Sequence, residues 1–275
     1  MTRKPIARKP MALANWKMSM TVAESLSFVR GLRMLAGDLL GQVDVIICPP
    51  YTALAPVAQA LEGSPIQLGG QDIAATTDPA RTGQVSAALL ADVGCRWVML
   101  GHWEVRRQRG DDDATVNRKV HLAFAAGLAP ILLVGEAHDE AALQAVVPQA
   151  EALGQMLART LAGVGAEQAA HMAIVYEPEG TIGVAQPASP EHVAAGSGVI
   201  RAWLRRRWGD EVAGQVRIVY GGSVAPEHAA DLPGSPDLDG LGATRRGRDV
   251  ATFADLLRQI ARAKIGTRSA AEERG

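Results

Sequence analysis

Side chains able to move protons or hold negative charge gather in a few short segments of this sequence. Asn15 and Lys17 lie in Asn15-Trp16-Lys17-Met18, and His102 and Glu104 in Leu100-Gly101-His102-Trp103-Glu104. Glu177 lies in Tyr176-Glu177-Pro178, with Ile182-Gly183 just after it, and Gly221, Gly222 and Ser223 follow Tyr220. Carboxylate and imidazole groups are the usual agents of general acid–base chemistry near neutral pH. Glycine-rich backbone next to a cation suits an anion, because N–H groups there approach it closely. Singly, each residue has a plainer reading: Lys17 as a surface lysine, His102 as a core histidine, Glu177 as a loop carboxylate. Position sets them apart, since every segment comes just after a short apolar run.

Those runs are the elements that must position the chemistry. β-branched, apolar stretches predict strands at Ala12–Asn15, Val43–Cys48, Ile66–Gly69, Trp97–Leu100, Pro130–Val134, Met172–Tyr176, Val216–Val219 and, most weakly marked, Leu238–Leu241. Helical patterns separate them. Thr21–Ala36 opens on the capping box Thr21-Val22-Ala23-Glu24, and Ser189-Pro190-Glu191 caps Val193–Trp208. Ala141–Leu161 and Thr252–Ala263 also carry apolar residues at three-to-four spacing. Strand–helix alternation from end to end predicts a parallel sheet, either closed into a barrel or open and doubly wound. In a barrel, loops that follow the strands share one face, where active sites of that architecture are built.

The 275 residues match the roughly 250 of eight strand–helix units, and no linker divides them. We expect one domain over residues 12–265, a basic flexible tail over 1–11 and a polar flexible tail over 266–275. Lys+Arg 28 against Asp+Glu 29 leaves a net charge of -1, so no global field exists to hold nucleic acid, and any bound anion must be gripped locally. No stretch approaches the roughly 20 apolar residues of a membrane span. Cys48 and Cys95 are the only cysteines, too few for a disulfide framework, which suits a reducing cytoplasm. Cys48 reads as a small buried hydrophobe and Asp111-Asp112-Asp113 as a solvated helix start. Gly240-Leu241-Gly242 makes a poor dinucleotide fingerprint. His102-Trp103-Glu104 begins like a zinc deaminase signature, but no Pro-Cys-x-x-Cys follows.

Taken together, the motifs resemble the triosephosphate isomerase family. Asn15-Trp16-Lys17-Met18 is similar to its opening Asn-x-Lys-Met, and Leu100–Glu104 to its Leu-Gly-His-Ser-Glu. Tyr176-Glu177-Pro178 with Ile182-Gly183 resembles its catalytic lid segment, and Tyr220-Gly221-Gly222-Ser223 its phosphate loop. Thr82-Gly83, Val85-Ser86, Gly135-Glu136 and Asp239-Gly240 add support. The resemblance runs from about Ala12 to Ile260 and implies a single-domain (β/α)8 TIM barrel.

It also implies roles. Glu177 resembles the base that removes a proton beside a carbonyl, and His102 the neutral electrophile that polarises that carbonyl. A histidine pKa lowered by a helix N-terminus is a trait for which this family is the standing example, inherited here with the resemblance. Lys17 and Asn15 correspond to a fixed positive charge and a hydrogen-bond donor at the developing enediolate. Backbone at Gly183, Gly221, Gly222 and Ser223 corresponds to the phosphate site. No metal and no organic cofactor is expected.

The chain also departs from the family. After Pro178 the family usually reads Val-Trp-Ala-Ile-Gly-Thr-Gly-Lys, whereas this chain has Glu179-Gly180-Thr181-Ile182-Gly183-Val184-Ala185-Gln186. Trp103 replaces the family serine, and we expect it to fill space vacated at Gly180 and, with Glu104, to shape the pocket. The Gly-Gly pair after the eighth strand is missing from Gly242-Ala243-Thr244-Arg245-Arg246-Gly247, which makes Arg245 a candidate phosphate ligand. The family's intersubunit glutamate–arginine pair is replaced by Gln84 and Val105, so a homodimer is expected with altered detail. These changes suggest a small phosphorylated sugar other than the triose, namely L-erythrulose 1-phosphate and D-erythrulose 4-phosphate in polyol catabolism. The alternatives are the triose pair, dihydroxyacetone phosphate and glyceraldehyde 3-phosphate, and a barrel that binds phosphate without catalysis.

Overall fold

The computed structural model describes residues 8–137, 149–183, 188–224 and 235–272, with side chains of the last span described to Lys264. Eight parallel strands close into a barrel in sequence order, β8 pairing back onto β1. The strands are β1 (Met11–Asn15), β2 (Asp44–Cys48), β3 (Gln67–Gly70), β4 (Trp97–Leu100), β5 (Ala129–Val134), β6 (Ala173–Tyr176), β7 (Arg217–Tyr220) and β8 (Gly240–Ala243). The helices are α1 (Val22–Ala36), α2 (Leu54–Ala60), α3 (Ala87–Asp92), α4 (Trp103–Arg109), α5 (Asp113–Ala125), α6 (Ala150–Thr160), α7 (Ala166–Ala169), α8 (Pro190–Gln215) and α9 (Val250–Glu272).

Successive strand residues face opposite sides, so one strand feeds two cores. Met11 and Leu13, Met99, Ile131 and Leu133, Val175 and Val219 fill the barrel, with Cys48 among them. Ala12 and Ala14, Val98 and Leu100, Leu132 and Val134, Ile174 and Tyr176 face the helices. Both faces being buried, the strands are apolar almost throughout, which is why they stand out in the sequence. Trp97 lies at the entry end of the barrel, its indole donating to Gln67 Oε1 at 2.6 Å while the Arg217 guanidinium stacks 5.4 Å from its ring.

The marked helix starts form as expected. Thr21 Oγ1 accepts the Glu24 N–H at 3.3 Å and Glu24 returns the bond to the Thr21 N–H at 2.7 Å. Ser189 Oγ accepts the His192 N–H at 3.2 Å. The predicted end of that helix at Trp208 coincides with Gly209, whose φ of 84° and ψ of 173° interrupt α8 before it resumes to Gln215. The first part of the predicted helix Ala141–Leu161 lies outside the described residues up to 148, and α6 covers the remainder.

Some expectations shift. β8 begins at Gly240, two residues later than predicted, because Asp239 uses its side chain to accept the Ile218 N–H at 2.8 Å and an Arg201 N–H at 2.8 Å. Gly240 is obligatory: a Cβ there would stand 1.7 Å from the Met11 carbonyl oxygen. Arg8 and Lys9 are anchored rather than solvated, pairing with Asp239 at 2.5 Å and Asp44 at 2.8 Å, and Met11 already belongs to β1. α9 runs past residue 265. Asp112 caps α5 by accepting the Thr115 N–H at 2.7 Å. Asp111 is instead buried, 2.5 Å from Lys119 Nζ, which also lies 2.8 Å from each oxygen of buried Asp72. A buried ammonium between two carboxylates keeps each charge partnered, as burial requires.

Candidate active site

The loops after β1, β4, β6, β7 and β8 meet around a cavity of about 460 Å³ at the exit end of the barrel. Strand alternation explains two of the converging side chains. Asn15 continues the inward series Met11, Leu13, and Glu177 the inward series Ala173, Val175, so both emerge above the barrel interior.

Glu177 is held from both sides. Its N–H donates to Val134 O at 2.8 Å, and its carboxylate is only 5% exposed. Oε2 has no hydrogen-bond donor among the described residues and lies 3.6 Å from His102 Nε2. Burial pushes the carboxyl pKa up, against the lowering influence of His102 and Lys17. A desolvated, under-coordinated carboxylate of this kind is a competent proton acceptor.

His102 would point away from the barrel if β4 simply continued, but Gly101, at φ 84°, turns the chain. His102 then caps α4, and its Nδ1 accepts the Glu104 N–H at 3.0 Å. A ring nitrogen that accepts a backbone N–H carries no proton, so the ring's proton sits on Nε2, facing Glu177. Lys17 adopts φ 50°, unusual for a lysine; its N–H donates to Asn15 Oδ1 at 2.9 Å and its Nζ lies 2.5 Å from Glu104 Oε1.

On the other side, Gly183, Gly222 and Ser223 line the cavity, and Ser223 Oγ donates to Thr181 O at 3.1 Å. Gly222, at φ 139°, has no room for a Cβ, which would stand 2.7 Å from Tyr220 Oη. Gly221 packs behind, against Val175 and Glu177. Arg245 lines the cavity beside Arg246 and Arg248, with an N–H directed at Gly183 O at 3.4 Å. Lys17 and these three arginines outweigh Glu104 and Glu177, so a chain of net charge -1 carries a locally cationic cavity. The positive charge is therefore concentrated locally, where composition allowed no global field.

Asn15 and His102 stand behind the lining residues. Trp103 and Gly180, expected to shape the pocket, do not line the cavity. Trp103 opens α4 half-buried with the Arg106 guanidinium 5.8 Å from its ring. Consecutive helical side chains diverge by about 100°, so Glu104 faces the cavity and Trp103 leaves it. Gly180 lies in a 3-10 turn, Glu179–Thr181, tied to α4 by an ion pair between Glu179 and Arg107. The segment tip, Val184–Gln186, lies outside the described residues.

Sequence reasoning missed Trp16 and the Arg248–Ser19 pair. Trp16 is fully buried under the site, its indole donating to Gly247 O at 2.9 Å. Arg248 donates to Ser19 Oγ at 2.5 Å, joining the first loop to the last. A charged residue so soon after Arg245 and Arg246 was the available signal. Among the described residues no group of three or more His, Cys, Asp or Glu side chains is arranged to hold a metal ion.

The family model for triosephosphate isomerase matches residues 10–260. The chain belongs to the triosephosphate isomerase family. With it, the chain belongs to the intramolecular aldose–ketose isomerases. It is 44% identical over 233 residues to the triosephosphate isomerase of Carboxydothermus hydrogenoformans, covering 85% of this chain and 91% of that one. It is 42% identical over 251 residues to that of Chloroflexus aurantiacus (91% and 98% covered), and 40% identical over 257 residues to that of Symbiobacterium thermophilum (94% and 99%). Family membership accounts for the motifs being in order at successive strand ends. No helix among the described residues is long and apolar enough to cross a membrane.

Proposed function

We propose that this protein interconverts dihydroxyacetone phosphate and glyceraldehyde 3-phosphate through a cis-enediolate. The observation that carries this is the buried Glu177 carboxylate, one oxygen without a donor, 3.6 Å from His102 Nε2, the ring nitrogen left to carry a proton because Nδ1 accepts the Glu104 N–H. Glu177 takes the proton from the carbon beside the carbonyl and returns it to the neighbouring carbon. His102 Nε2–H donates to the oxygen on which charge develops, and the ring passes a proton between the two enediol oxygens, so that the old carbonyl becomes a hydroxyl as the old hydroxyl becomes the carbonyl. The Lys17 ammonium balances that charge, with Asn15 holding the Lys17 backbone. Preorganised donors of this kind typically contribute about 10²- to 10³-fold in rate each. Gly183, Gly222, Ser223 and Arg245 hold the phosphate, Arg245 as a planar fork in place of backbone donors.

The relatives named above are all triosephosphate isomerases, which supports the triose over the four-carbon substrates. Two of the features that suggested a specialised pocket, Trp103 and Gly180, lie away from the cavity wall. The deciding experiment compares kcat/KM on glyceraldehyde 3-phosphate and on both erythrulose phosphates, with Glu177→Gln as blank. Triose turnover approaching the diffusional ceiling of about 10⁸ M⁻¹s⁻¹ supports the reading. Stronger turnover of an erythrulose phosphate overturns the substrate, and activity equal to the blank on all three overturns catalysis.

We further propose a homodimer. Met18, next to Lys17, is 98% exposed, and Leu89 on α3 is 58% exposed, apolar surface that a partner subunit would cover. Light scattering at micromolar concentration should give about twice the 28.9 kDa chain mass; a monomer mass refutes it. Both cysteines are free and buried, which suits the cytoplasm as the proposed location.

A further inference from the structure

Lys17, at φ 50°, holds a left-handed backbone conformation that is strained for a non-glycine residue and persists only where the surroundings over-determine it. The N–H side is accounted for by Asn15 Oδ1. The carbonyl side is held by a residue with no part in the mechanism above: Gln71, just past β3, whose Nε2 donates to Lys17 O at 2.8 Å and to Cys48 O at 3.0 Å. Both partners are carbonyl oxygens, which only accept, so the orientation of the Gln71 amide is settled by chemistry. Cys48 O also accepts the Trp16 N–H at 3.1 Å, so the end of β2, the first loop and Gln71 form one knot.

Gln71 is itself rigidly mounted. The next residue, Asp72, is 3% exposed and bound to Lys119 Nζ through both carboxylate oxygens, to Arg109 at 3.2 Å, and through its carbonyl to the Tyr51 hydroxyl at 2.6 Å. The buried ion cluster around Lys119 thus fixes the post from which Gln71 reaches Lys17. At the other end, the Lys17 ammonium meets Glu104. Backbone N–H, backbone carbonyl and side-chain tip are tied in turn to the end of β1, the segment after β3 and the first turn of α4.

We propose that Gln71 is a positioning residue for Lys17: its amide holds the Lys17 carbonyl and so fixes the left-handed backbone that aims the ammonium into the cavity. This rests on the reading above that Lys17 faces a bound anion. Gln71→Met keeps the length of the side chain and removes both donated bonds. Without them the strained backbone relaxes and the ammonium loses its aim.

The test is a double-mutant cycle read by NMR titration with inorganic phosphate, on wild type, Gln71→Met, Lys17→Met and the double variant. Gln71→Met is expected to weaken phosphate binding about five- to thirtyfold when Lys17 is present, and to have no further effect in the Lys17→Met background. Equal weakening in both backgrounds would reveal a merely structural role, and no weakening in either would dispose of the amide; both overturn the proposal. Should Gln71→Met fail to fold, Gln71→Leu, uncharged and also without the amide donor, supplies the same cycle. In triose phosphate turnover, Gln71→Met should lower kcat/KM only where Lys17 is intact. If wild type and Lys17→Met bind phosphate equally, the anion reading of the site fails instead, a result distinct from failure of the Gln71 link.

Discussion

Replacing Gly135 by alanine tests how tightly the fold holds the Glu177 carboxylate without touching any group that meets substrate. Gly135 is the first residue after β5. A Cβ on it would stand 2.1 Å from the Glu177 carbonyl oxygen, 2.4 Å from its carbonyl carbon and 2.8 Å from Pro178 N. All three are backbone atoms, so no rotamer change relieves the clash. Restoring an ordinary carbon–oxygen separation of about 3.3 Å requires roughly 1.2 Å of movement at Glu177 or Gly135. Because the Glu177 N–H is bonded to Val134 O at 2.8 Å, the strand ends cannot part without losing that bond. A displacement near 1 Å at a reacting group costs about 10²-fold in rate. We therefore expect Gly135→Ala to lower kcat/KM on glyceraldehyde 3-phosphate by about two orders of magnitude, through kcat more than KM, measured in a coupled dehydrogenase assay. Overpacking also costs typically about 1–3 kcal/mol, so Tm should fall while far-UV circular dichroism stays native. Gly221→Ala is the comparison: its Cβ would meet side-chain atoms, Val175 Cγ1 at 2.6 Å and Glu177 Oε1 at 3.1 Å, and the loss should be smaller. A folded Gly135→Ala enzyme within about threefold of wild type would refute the claim that the β5–β6 junction sets the carboxylate.

Two further outcomes follow from the same geometry. The folded pKa of Glu177 is raised by burial, so its stability contribution is full below the unfolded value and lost as pH rises through the folded one. At pH 7 the buried carboxylate therefore weakens the fold: Glu177→Gln should lose about 10²- to 10⁴-fold in activity yet melt higher, with the gain vanishing at acid pH. A wild type at least as stable as Glu177→Gln at pH 7 would contradict this. The acid limb of wild-type kcat/KM should likewise lie above the about 4.3 of an unperturbed glutamate. Trp103→Ser should leave both kinetic constants within about twofold and remove at most about 1 kcal/mol of stability with the Arg106 stacking; a tenfold kinetic change would place Trp103 back in the pocket.

Much of the molecule was legible before folding. Strands buried on both faces must be apolar along their length, so all eight runs were visible, and Thr21, Glu24 and Ser189 announced helix starts through their own local hydrogen bonds. Period-two alternation even carries Asn15 and Glu177 to the cavity side. The weakest strand, β8, was misplaced because Asp239 satisfies neighbouring donors with its side chain across a sequence separation of 38 residues to Arg201, a bond that leaves no local mark.

By itself, then, the order of residue types determined the eight strand runs, the marked helix starts and the loops in which Glu177, His102 and Lys17 stand, because periodicity and capping act over a few residues, while the closed barrel was legible only through the resemblance to a family. Only the tertiary structure decided which neighbours those loops acquire. It turned His102 inward at Gly101 and sent Trp103 away from the cavity. It buried Asp111 with Lys119 and brought Gln71 against the Lys17 carbonyl, 54 residues distant in the chain. Such contacts depend on the register in which eight strands close, and closure is a property of the whole chain.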